Sequence, residues 1–194
     1  YKRQVLELAG GNSYIKTGIN NMGPNYSVSF SVKRDENSDD SEQILFESSK
    51  GTFKAVQAGT GKLGFSREGY DYSFDYELPK GEWVDITVVG KLNKTEIYVN
   101  GEYVEQILEE GSNIKYTTFV FPLEKIGSES KAFKGQVDNL VITNEAVITD
   151  ETVIDSTNFT VTSDNENSLV NGVEGPAYLA FDNDLNTIWH SNYS

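Results

Sequence analysis

The sequence contains no cysteine, which excludes a disulfide framework, a thiolate nucleophile and a cysteine-ligated zinc centre. Histidine is almost as scarce, since His190 is the only one in the 194 residues. A Ser-His-Asp triad would have to use His190, yet the chain has no Gly-x-Ser-x-Gly motif to supply the nucleophile. The sequence therefore gives no support for nucleophilic hydrolase chemistry.

Positive charge and long apolar runs are also in short supply. The chain carries 16 Lys and Arg residues against 30 Asp and Glu, and the net charge of −14 would repel a phosphate backbone or an anionic lipid surface. No apolar run approaches the roughly 20 residues that a membrane-spanning helix needs. We therefore expect no nucleic-acid partner and no membrane insertion. Because Tyr1 opens the chain without a signal-peptide pattern, we expect a piece of a longer protein.

Aromatic residues and glycine are plentiful, and apolar residues alternate with polar ones. The alternation occurs at residues 28–32, 44–46, 84–88 and 96–99. It is typical of half-buried strands because successive side chains of a strand point to opposite faces. The Asn100-Gly101 pair that follows predicts a type I′ hairpin turn. Short strands separated by turns at this spacing predict an all-β sandwich of two antiparallel sheets.

Two further segments, one more strand and one polar loop, can be predicted from the sequence. Residues 133–142 alternate around Gly135 and predict one more strand with a glycine bend. Asp138 lies inside that strand, where a buried carboxylate must be paired, and we expect it to bond to loop backbone rather than to hold a cation. Residues 33–41 are almost wholly charged or small polar, which predicts a solvated, mobile loop.

The alternation ends after Ile142 and gives way to a polar stretch that reaches Asn158, which we interpret as a linker. We expect one β-sandwich domain at residues 1–150. Residues 151–194 would then contain the linker and the truncated N-terminal part of a second domain, since they are too few to bury a core of their own.

Two sequence blocks carry a family resemblance. Residues 81–87 read Gly-Glu-Trp-Val-Asp-Ile-Thr, and residues 95–102 read Thr-Glu-Ile-Tyr-Val-Asn-Gly-Glu. Together with the strand at 133–142, they resemble the laminin-G-like signature. This resemblance covers roughly residues 1–150 and implies a concanavalin A-like jelly roll. It also implies that Trp83 packs in the sandwich interior.

The tail at residues 177–191 resembles the opening of discoidin-like (coagulation-factor C-type) domains, in which an Ala-Phe-Asp-Gly-Asp-x-x-Thr-x-Trp pattern recurs. Asn183 stands where the family has Gly, a mild departure because Asn also tolerates left-handed backbone angles. The resemblance implies that a second, β-rich domain begins here and is incomplete in this sequence.

The same tail presents a candidate calcium site. Asp182, Asp184 and Thr187 would place two carboxylates and a hydroxyl on one tight turn, and hard cations prefer several oxygen ligands. The discoidin-like resemblance implies the Leu179 carbonyl as a further ligand, with a structural role for the ion. Because the groups that complete the family's site are absent from this sequence, we expect impaired affinity. The alternative is a capped, solvated turn.

An aromatic stripe is the candidate sugar-binding site. Tyr70, Tyr72, Phe74 and Tyr76 alternate with polar residues, so that an extended strand would place four rings on one face, with Arg67 nearby. Sugars stack their C–H faces on rings and bond through their hydroxyls, which makes Arg67, Tyr70, Tyr72 and Tyr76 the candidate carbohydrate-binding residues. The alternative is that the rings fill the core and the acidic residues between them face solvent.

The order of laminin-G-like and discoidin-like segments resembles the non-catalytic tail of bacterial glycan-degrading enzymes such as β-N-acetylhexosaminidases. We therefore expect a carbohydrate-binding or accessory module that is secreted or at a bacterial cell surface. Extracellular glycans and the catalytic domain of the same parent chain would be its partners. A spacer that packs on that domain and an adhesion module for a protein partner stay open. An enzyme is disfavoured, because the Glu-x-Asp-x-x-Glu run of concanavalin-like glucanases does not occur.

Overall fold

Alternating burial along the chain builds a structure made of strands. The computed structural model describes residues 5–19, 21–108, 120–144, 174–175 and 188–189. The strands are β1 (Leu6–Gly11), β2 (Tyr14–Lys16), β3 (Tyr26–Arg34), β4 (Gln43–Ser48), β5 (Gly51–Val56), β6 (Gly64–Arg67), β7 (Tyr70–Ser73), β8 (Trp83–Lys91), β9 (Lys94–Val99), β10 (Glu102–Leu108), β11 (Lys125–Gly127), β12 (Ala132–Thr143), β13 (Glu174–Gly175) and β14 (Ile188–Trp189). Every regular element in these ranges is a strand, which confirms the predicted all-β class.

The strands form two layers. The first sheet has the order β1-β12-β3-β8-β9-β10, and the second has the order β2-β11-β4-β5-β6-β7. Neighbours within each layer pair antiparallel, as predicted. One parallel bridge, Ala132 to Ile44, joins β12 to β4 and connects the layers at one corner. The predicted sandwich is therefore confirmed, with a corner where hydrogen bonding runs on from one sheet to the other.

An aromatic cluster fills the space between the layers. Phe30 of the first sheet contacts Phe46 of the second, with ring centroids 5.0 Å apart. Phe121 lies 5.1 Å from Phe46 and 5.3 Å from Phe53. All four rings are at most 2% exposed. Burying each such ring stabilises the fold by roughly 1.5–3 kcal/mol, so this cluster is a main source of cohesion between the sheets.

The predicted hairpin turn is confirmed in detail. Asn100 has φ +51° and Gly101 has φ +83°, the positive angles that a type I′ turn requires. The Asn100 side chain accepts a hydrogen bond from the Asp85 backbone N–H at 3.0 Å, and its own N–H donates to the Asp85 carbonyl at 2.8 Å. The turn between β9 and β10 is thereby tied to β8.

The predicted glycine bend lies in β12. A Cβ atom at Gly135 would come within 2.2 Å of the Lys33 carbonyl oxygen and 2.7 Å of the Phe133 ring, so only glycine fits there. The pairing of β12 with β3 then shifts register between Asp138 and Val141, with Asn139 at φ +50°. Such a bulge re-aims the side chains beside it.

The expectation of a fully solvated loop at residues 33–41 is wrong for its first part. Arg34 still belongs to β3 and continues the inward-facing set of that strand, so its side chain is buried, with 5% of the residue exposed. Its guanidinium donates to the buried Ser38 hydroxyl at 2.9 Å, to the Asp39 carbonyl, and to the Asp40 carboxylate at 2.9 Å. The loop is therefore organised around one buried cation.

The expected division into residues 1–150 and 151–194 stays a prediction. Of the second range, the structure describes only β13 and β14, which pair in parallel, Glu174 with Ile188 and Gly175 with Trp189.

Among all the residues that the structure describes, there is no helix long and apolar enough to cross a lipid bilayer.

The contact between Gly90 and Tyr26 provides a test of the packing. A Cβ at Gly90 would lie 2.1 Å from the ring of the fully buried Tyr26, whereas a Cβ at Gly23 would meet nothing within 4 Å. Neither glycine has a positive φ. Gly90→Ala should therefore lower the free energy of unfolding by about 2–3 kcal/mol because it overpacks the core. Gly23→Ala should change it by less than about 1 kcal/mol. Urea unfolding of both variants measures the difference, and equal midpoints would contradict the packing described here.

Candidate functional site

The first sheet presents an outward surface that carries most of its polar chemistry. In β3 the buried Val28, Phe30 and Val32 alternate with Ser29, Ser31 and Lys33, and the same alternation continues on the paired strands. We call this surface the polar face and define it by the outward residues used below. They are Glu7, Ser29, Ser31, Lys33, Trp83, Asp85, Thr87, Glu96, Tyr98, Tyr103, Gln136 and Asp138.

A depression of about 480 Å³ lies on this face beside β1. Its lining includes Glu7 of β1, Gln136 of β12, Lys33 of β3 and Glu36 of the following loop. Glu7 pairs with Gln136, and Gln136 pairs with Lys33 in the sheet register. One cross-strand row therefore offers a carboxylate, an amide and an ammonium group side by side, which can together accept and donate hydrogen bonds.

Trp83 continues that row. It pairs with Lys33 in the sheet and alternates with the buried Val84. The expectation that Trp83 packs in the interior is therefore wrong. The register points Val84, Ile86 and Val88 inward and leaves Trp83 half-buried on the opposite face. A large ring thus stands on the polar face next to the depression.

Asp85 is held in place by a chain of side-chain hydrogen bonds. The Ser31 hydroxyl donates to the Asp85 carboxylate at 2.5 Å, and the Asn139 amide donates to Ser31 at 3.0 Å. Asn139 reaches Ser31 because the bulge in β12 gives it a positive φ. The exposed Asp85 carboxylate is therefore fixed before any ligand arrives.

Asp138 lies on the other side of Ser31 in the same row. Its carboxylate accepts a hydrogen bond from the Asn139 backbone N–H at 2.8 Å. The carboxylate is bonded by backbone, but this backbone belongs to the bulge of β12 and not to a loop as expected, and the side chain is half-buried on the polar face.

A pair of tyrosines occupies the end of the face near β10. The rings of Tyr98 and Tyr103 meet edge to face, with centroids 5.6 Å apart, and Tyr103 is 52% exposed. The Tyr98 hydroxyl donates to Glu96 at 3.3 Å. Burial and the nearby Glu96 charge raise the pKa of Tyr98, so it stays a neutral donor and acceptor at ordinary pH.

Glu96 is buried, and its carboxylate accepts hydrogen bonds from two lysines. Lys91 donates to it at 3.0 Å, and Lys94 bonds to its other oxygen. Burial acts to raise the pKa of Glu96, but the hydrogen bonds from Lys94 and Lys91 outweigh that effect, and the pKa lies below its ordinary value of 4.5. The ionised carboxylate therefore anchors Tyr98 on the face.

The predicted aromatic stripe is not one accessible surface. Tyr72 stacks on Phe65 at 5.0 Å, Phe74 is fully buried, and Tyr76 packs partly against the core. This is the alternative in which rings fill the core. Tyr70 lies beyond the core's end and is 50% exposed.

Arg67 pairs with Tyr70 in the sheet, so the two lie side by side at one end of the second sheet. The Arg67 guanidinium is 3.8 Å from the Glu68 carboxylate, and one of its nitrogens is buried without a hydrogen-bond partner. Of the predicted carbohydrate-binding residues, the structure brings together Arg67 and Tyr70 and turns Tyr72 inward. Their role in binding stays a prediction.

The acidic residues of the stripe face outward, as the alternative predicted, and hold lysines. Asp71 accepts from Lys54 at 3.2 Å, and Asp75 accepts from Lys62 at 2.7 Å. Lys54 also bonds to Glu42 at 2.6 Å and is almost wholly buried. The outer surface of the second sheet therefore carries a network of paired charges.

The predicted calcium ligands Leu179, Asp182, Asp184 and Thr187 lie outside the described residues, and so does His190. The calcium site therefore stays a prediction. Within the ranges that the structure describes, no group of three or more His, Cys, Asp or Glu side chains is arranged to hold a metal ion.

Sequence reasoning missed the polar face. Its signal was present in the Ser29 and Ser31 positions of β3 and in Asp85 and Thr87 of β8, which read simply as the polar half of each strand. A strand pattern shows which residues share a face, but only the register shows which strands lie side by side. The sequence did not predict that β3 and β12 would be neighbours.

Comparison with known proteins agrees with this architecture. A laminin-G-type family model, described as the Concanavalin A-like lectin/glucanases superfamily, matches residues 9–154. No curated protein sequence matches the chain.

Several solved structures have a similar fold. One is domain 4 of AbnA, a GH43 extracellular arabinanase from Geobacillus stearothermophilus, in complex with arabinotriose, at 20% identity and TM-score 0.50 over 69% of this chain and 66% of that one. Another is a proposed carbohydrate-binding protein from Bacteroides ovatus, at 19% identity and TM-score 0.53 over 74% of this chain and 45% of that one.

A third is the ligand-binding domain of botulinum neurotoxin serotype D in complex with N-acetylneuraminic acid, at 14% identity and TM-score 0.50 over 75% and 40% of the two chains. This chain thus spans less than two thirds of the length of each structure. At these identities the likeness shows the fold alone.

The Glu96 cluster predicts a specific pH dependence. Because the folded-state pKa of Glu96 is lowered, its stabilising contribution is present above about pH 4.5 and is lost as the pH falls through the folded value. Glu96→Gln should lower the free energy of unfolding by about 1 kcal/mol at pH 7, because partly exposed lysines contribute modestly. The difference from the unmodified protein should shrink between about pH 5 and pH 3.

Urea unfolding at pH 7, 5, 4 and 3 measures this difference. Glu102→Gln, an exposed glutamate on β10, is the control and should shift the midpoint little at any of these values. A difference for Glu96→Gln that stays constant down to pH 3 would contradict the assignment.

Proposed function

Because this chain belongs to the concanavalin A-like lectin/glucanase superfamily, we propose that it is a non-catalytic carbohydrate-binding module whose ligand lies on the polar face. The observation that carries the proposal is the position of Trp83, which is half-buried on the polar face next to the polar depression. A sugar needs both an apolar ring to cover its C–H groups and fixed polar groups for its hydroxyls.

The polar groups of the face are held in position in advance. Ser31 and Asn139 fix the Asp85 carboxylate, and Ser29 and Thr87 bond to each other at 2.8 Å. Groups that are already ordered lose little conformational entropy when a ligand binds, which raises affinity for a given set of contacts. This favours a binding role for the face over a purely structural one.

The charge of the face favours a neutral sugar. Its carboxylates include Glu7, Asp85 and Asp138, and the whole chain has a net charge of −14. A sulfated or uronic-acid chain would be repelled over a Debye length of about 10 Å at moderate salt. We therefore propose neutral oligosaccharides as the ligand class.

We propose no reaction at this face. Asp85 and Asp138 lie on either side of Ser31 in the register, and both already accept hydrogen bonds, from Ser31 and from the Asn139 backbone. A glycosidase needs one carboxylic acid free to protonate the leaving group and a second carboxylate facing it across the bond.

The wider setting follows from the resemblances in the sequence. We propose that the chain is an accessory part of a secreted or cell-surface glycan-degrading enzyme of bacterial type, similar to a β-N-acetylhexosaminidase. A calcium-binding, discoidin-like segment at 151–194 belongs to the same proposal. The second candidate function is a spacer that packs on the catalytic domain, and the network of paired charges on the second sheet would suit such packing.

Trp83→Ala tests the binding proposal. Truncating a central aromatic contact typically costs more than 1 kcal/mol, so affinity for a neutral oligosaccharide should fall about tenfold. Isothermal titration measures it, with a panel of arabinotriose and of galactose- and N-acetylhexosamine-terminated oligosaccharides. Urea unfolding of the variant verifies that the fold is intact.

Tyr70→Ala is the matched control, because Tyr70 is the exposed aromatic residue of the predicted stripe on the second sheet. Its affinity should equal that of the unmodified protein. If Tyr70→Ala weakens binding and Trp83→Ala does not, the ligand lies at Arg67 and Tyr70 instead. If none of the oligosaccharides in the panel binds, the binding proposal is contradicted and the spacer function is left.

The non-catalytic assignment has its own test. The purified protein should release no nitrophenol from nitrophenyl glycosides of galactose, arabinose and N-acetylglucosamine beyond the rate of buffer alone. Hydrolysis by the unmodified protein that disappears in Asp85→Asn would show that the face carries out chemistry.

A further inference from the structure

We infer that the polar face binds the interior of an extended oligosaccharide and not a single terminal sugar. The inference rests on the proposed function and adds the length of ligand that the face takes. It follows from the spacing of the aromatic residues and from the openness of the surface between them.

The face has two aromatic positions that are far apart. Trp83 and Thr87 are four residues apart on β8, which corresponds to about 14 Å at the rise of an antiparallel strand. Tyr98 pairs with Thr87 on the next strand, and Tyr103 pairs with Tyr98 on the strand after that. With strands about 4.8 Å apart, the Cα atoms of Trp83 and Tyr98 are about 14 Å apart, and those of Trp83 and Tyr103 are about 17 Å apart.

A single sugar ring is much shorter than this separation, so it could contact one aromatic position but not both. The fixed Asp85 carboxylate lies between the row of Trp83 and the row of Tyr98, and the hydroxyls of Ser29 and Thr87 lie in the same cross-strand row as Tyr98. These groups bond to hydroxyls and do not need the end of a chain. A run of several sugars can therefore lie along β8 with aromatic contacts at each end and hydrogen bonds in the middle.

Among the residues that the structure describes, none covers the surface where the run would leave it. Asp85 is exposed and Tyr103 is 52% exposed, so neither closes the face over a ligand. At the other end, Lys33 lies between Trp83 and Gln136 in one cross-strand row, which continues the face into the depression beside β1. A site for a terminal sugar encloses the chain end, whereas this surface continues on both sides of Trp83.

Isothermal titration against two oligosaccharide series tests the inference, one of arabino-oligosaccharides and one of N-acetylglucosamine oligomers, each from one to six units. Affinity in the series that binds should rise with length, by at least about tenfold from the disaccharide to the hexasaccharide, and then level off. Trp83→Ala and Tyr98→Ala should each remove most of that gain.

The double variant separates a shared ligand from two independent contacts. With the hexasaccharide, the effects of Trp83→Ala and Tyr98→Ala should be coupled, because one chain contacts both rings. A disaccharide is too short to contact both rings. Only one of the two variants, Trp83→Ala or Tyr98→Ala, should therefore lower its affinity. Tyr70→Ala, on the second sheet, is the control and should leave the length dependence unchanged. Trp83→Phe and Tyr98→Phe keep an aromatic ring and should retain most of the gain in affinity. This result would show that the alanine variants lose affinity through the missing ring and not through unfolding.

The outcomes distinguish the inference from the proposed function. Full affinity for a monosaccharide or disaccharide, with no gain on lengthening, would overturn the extended site and leave carbohydrate binding standing. Absence of binding in both series would overturn both. Length-dependent binding that survives Trp83→Ala would move the extended site away from the polar face and overturn the inference.

Discussion

The rings of Phe30, Phe46, Phe53 and Phe121 hold the first sheet against the second, and the other features depend on this contact because it assigns every strand an inside and an outside. Once inward positions are committed to the core, a one-residue slip in any strand would expose its apolar half. The rings therefore fix the register, and the register sets which polar side chains share a surface. Trp83 stands on that surface only because Val84 and Ile86 are needed inside.

The charged side chains on the outer surfaces of the two sheets have different kinds of hydrogen-bond partner. On the second sheet, Lys54 and its acidic neighbours Glu42 and Asp71 neutralise one another as ion pairs. On the first sheet, Asp85 is oriented by a hydroxyl yet stays exposed, and Tyr98 is anchored by Glu96 with its ring half-buried. Groups that are oriented but not neutralised are the more suitable for recognition.

Strand positions could be read from the sequence because burial has a period of two, and residues 28–32, 84–88 and 96–99 all lie in the expected strands. The Asn100-Gly101 turn was readable because few residues accept positive φ. The candidate site was not, since β12 pairs with β3 across a sequence separation that no local pattern encodes. Trp83 and Arg34 were misjudged for one reason: residue type was used where register decides, so the ring was expected inside and the cation outside.

The corner bridge between Ala132 and Ile44 makes β12 common to both layers. The same strand lies between β1 and β3 in the first sheet. During synthesis, β1 and β3 would leave the ribosome about a hundred residues before the strand that joins them. The second layer waits for β11 at Lys125–Gly127, and the first layer cannot close until Thr143, the last residue of β12, has emerged. The nascent chain therefore carries unpaired strand edges for most of its translation, and native assembly is a late event of high contact order.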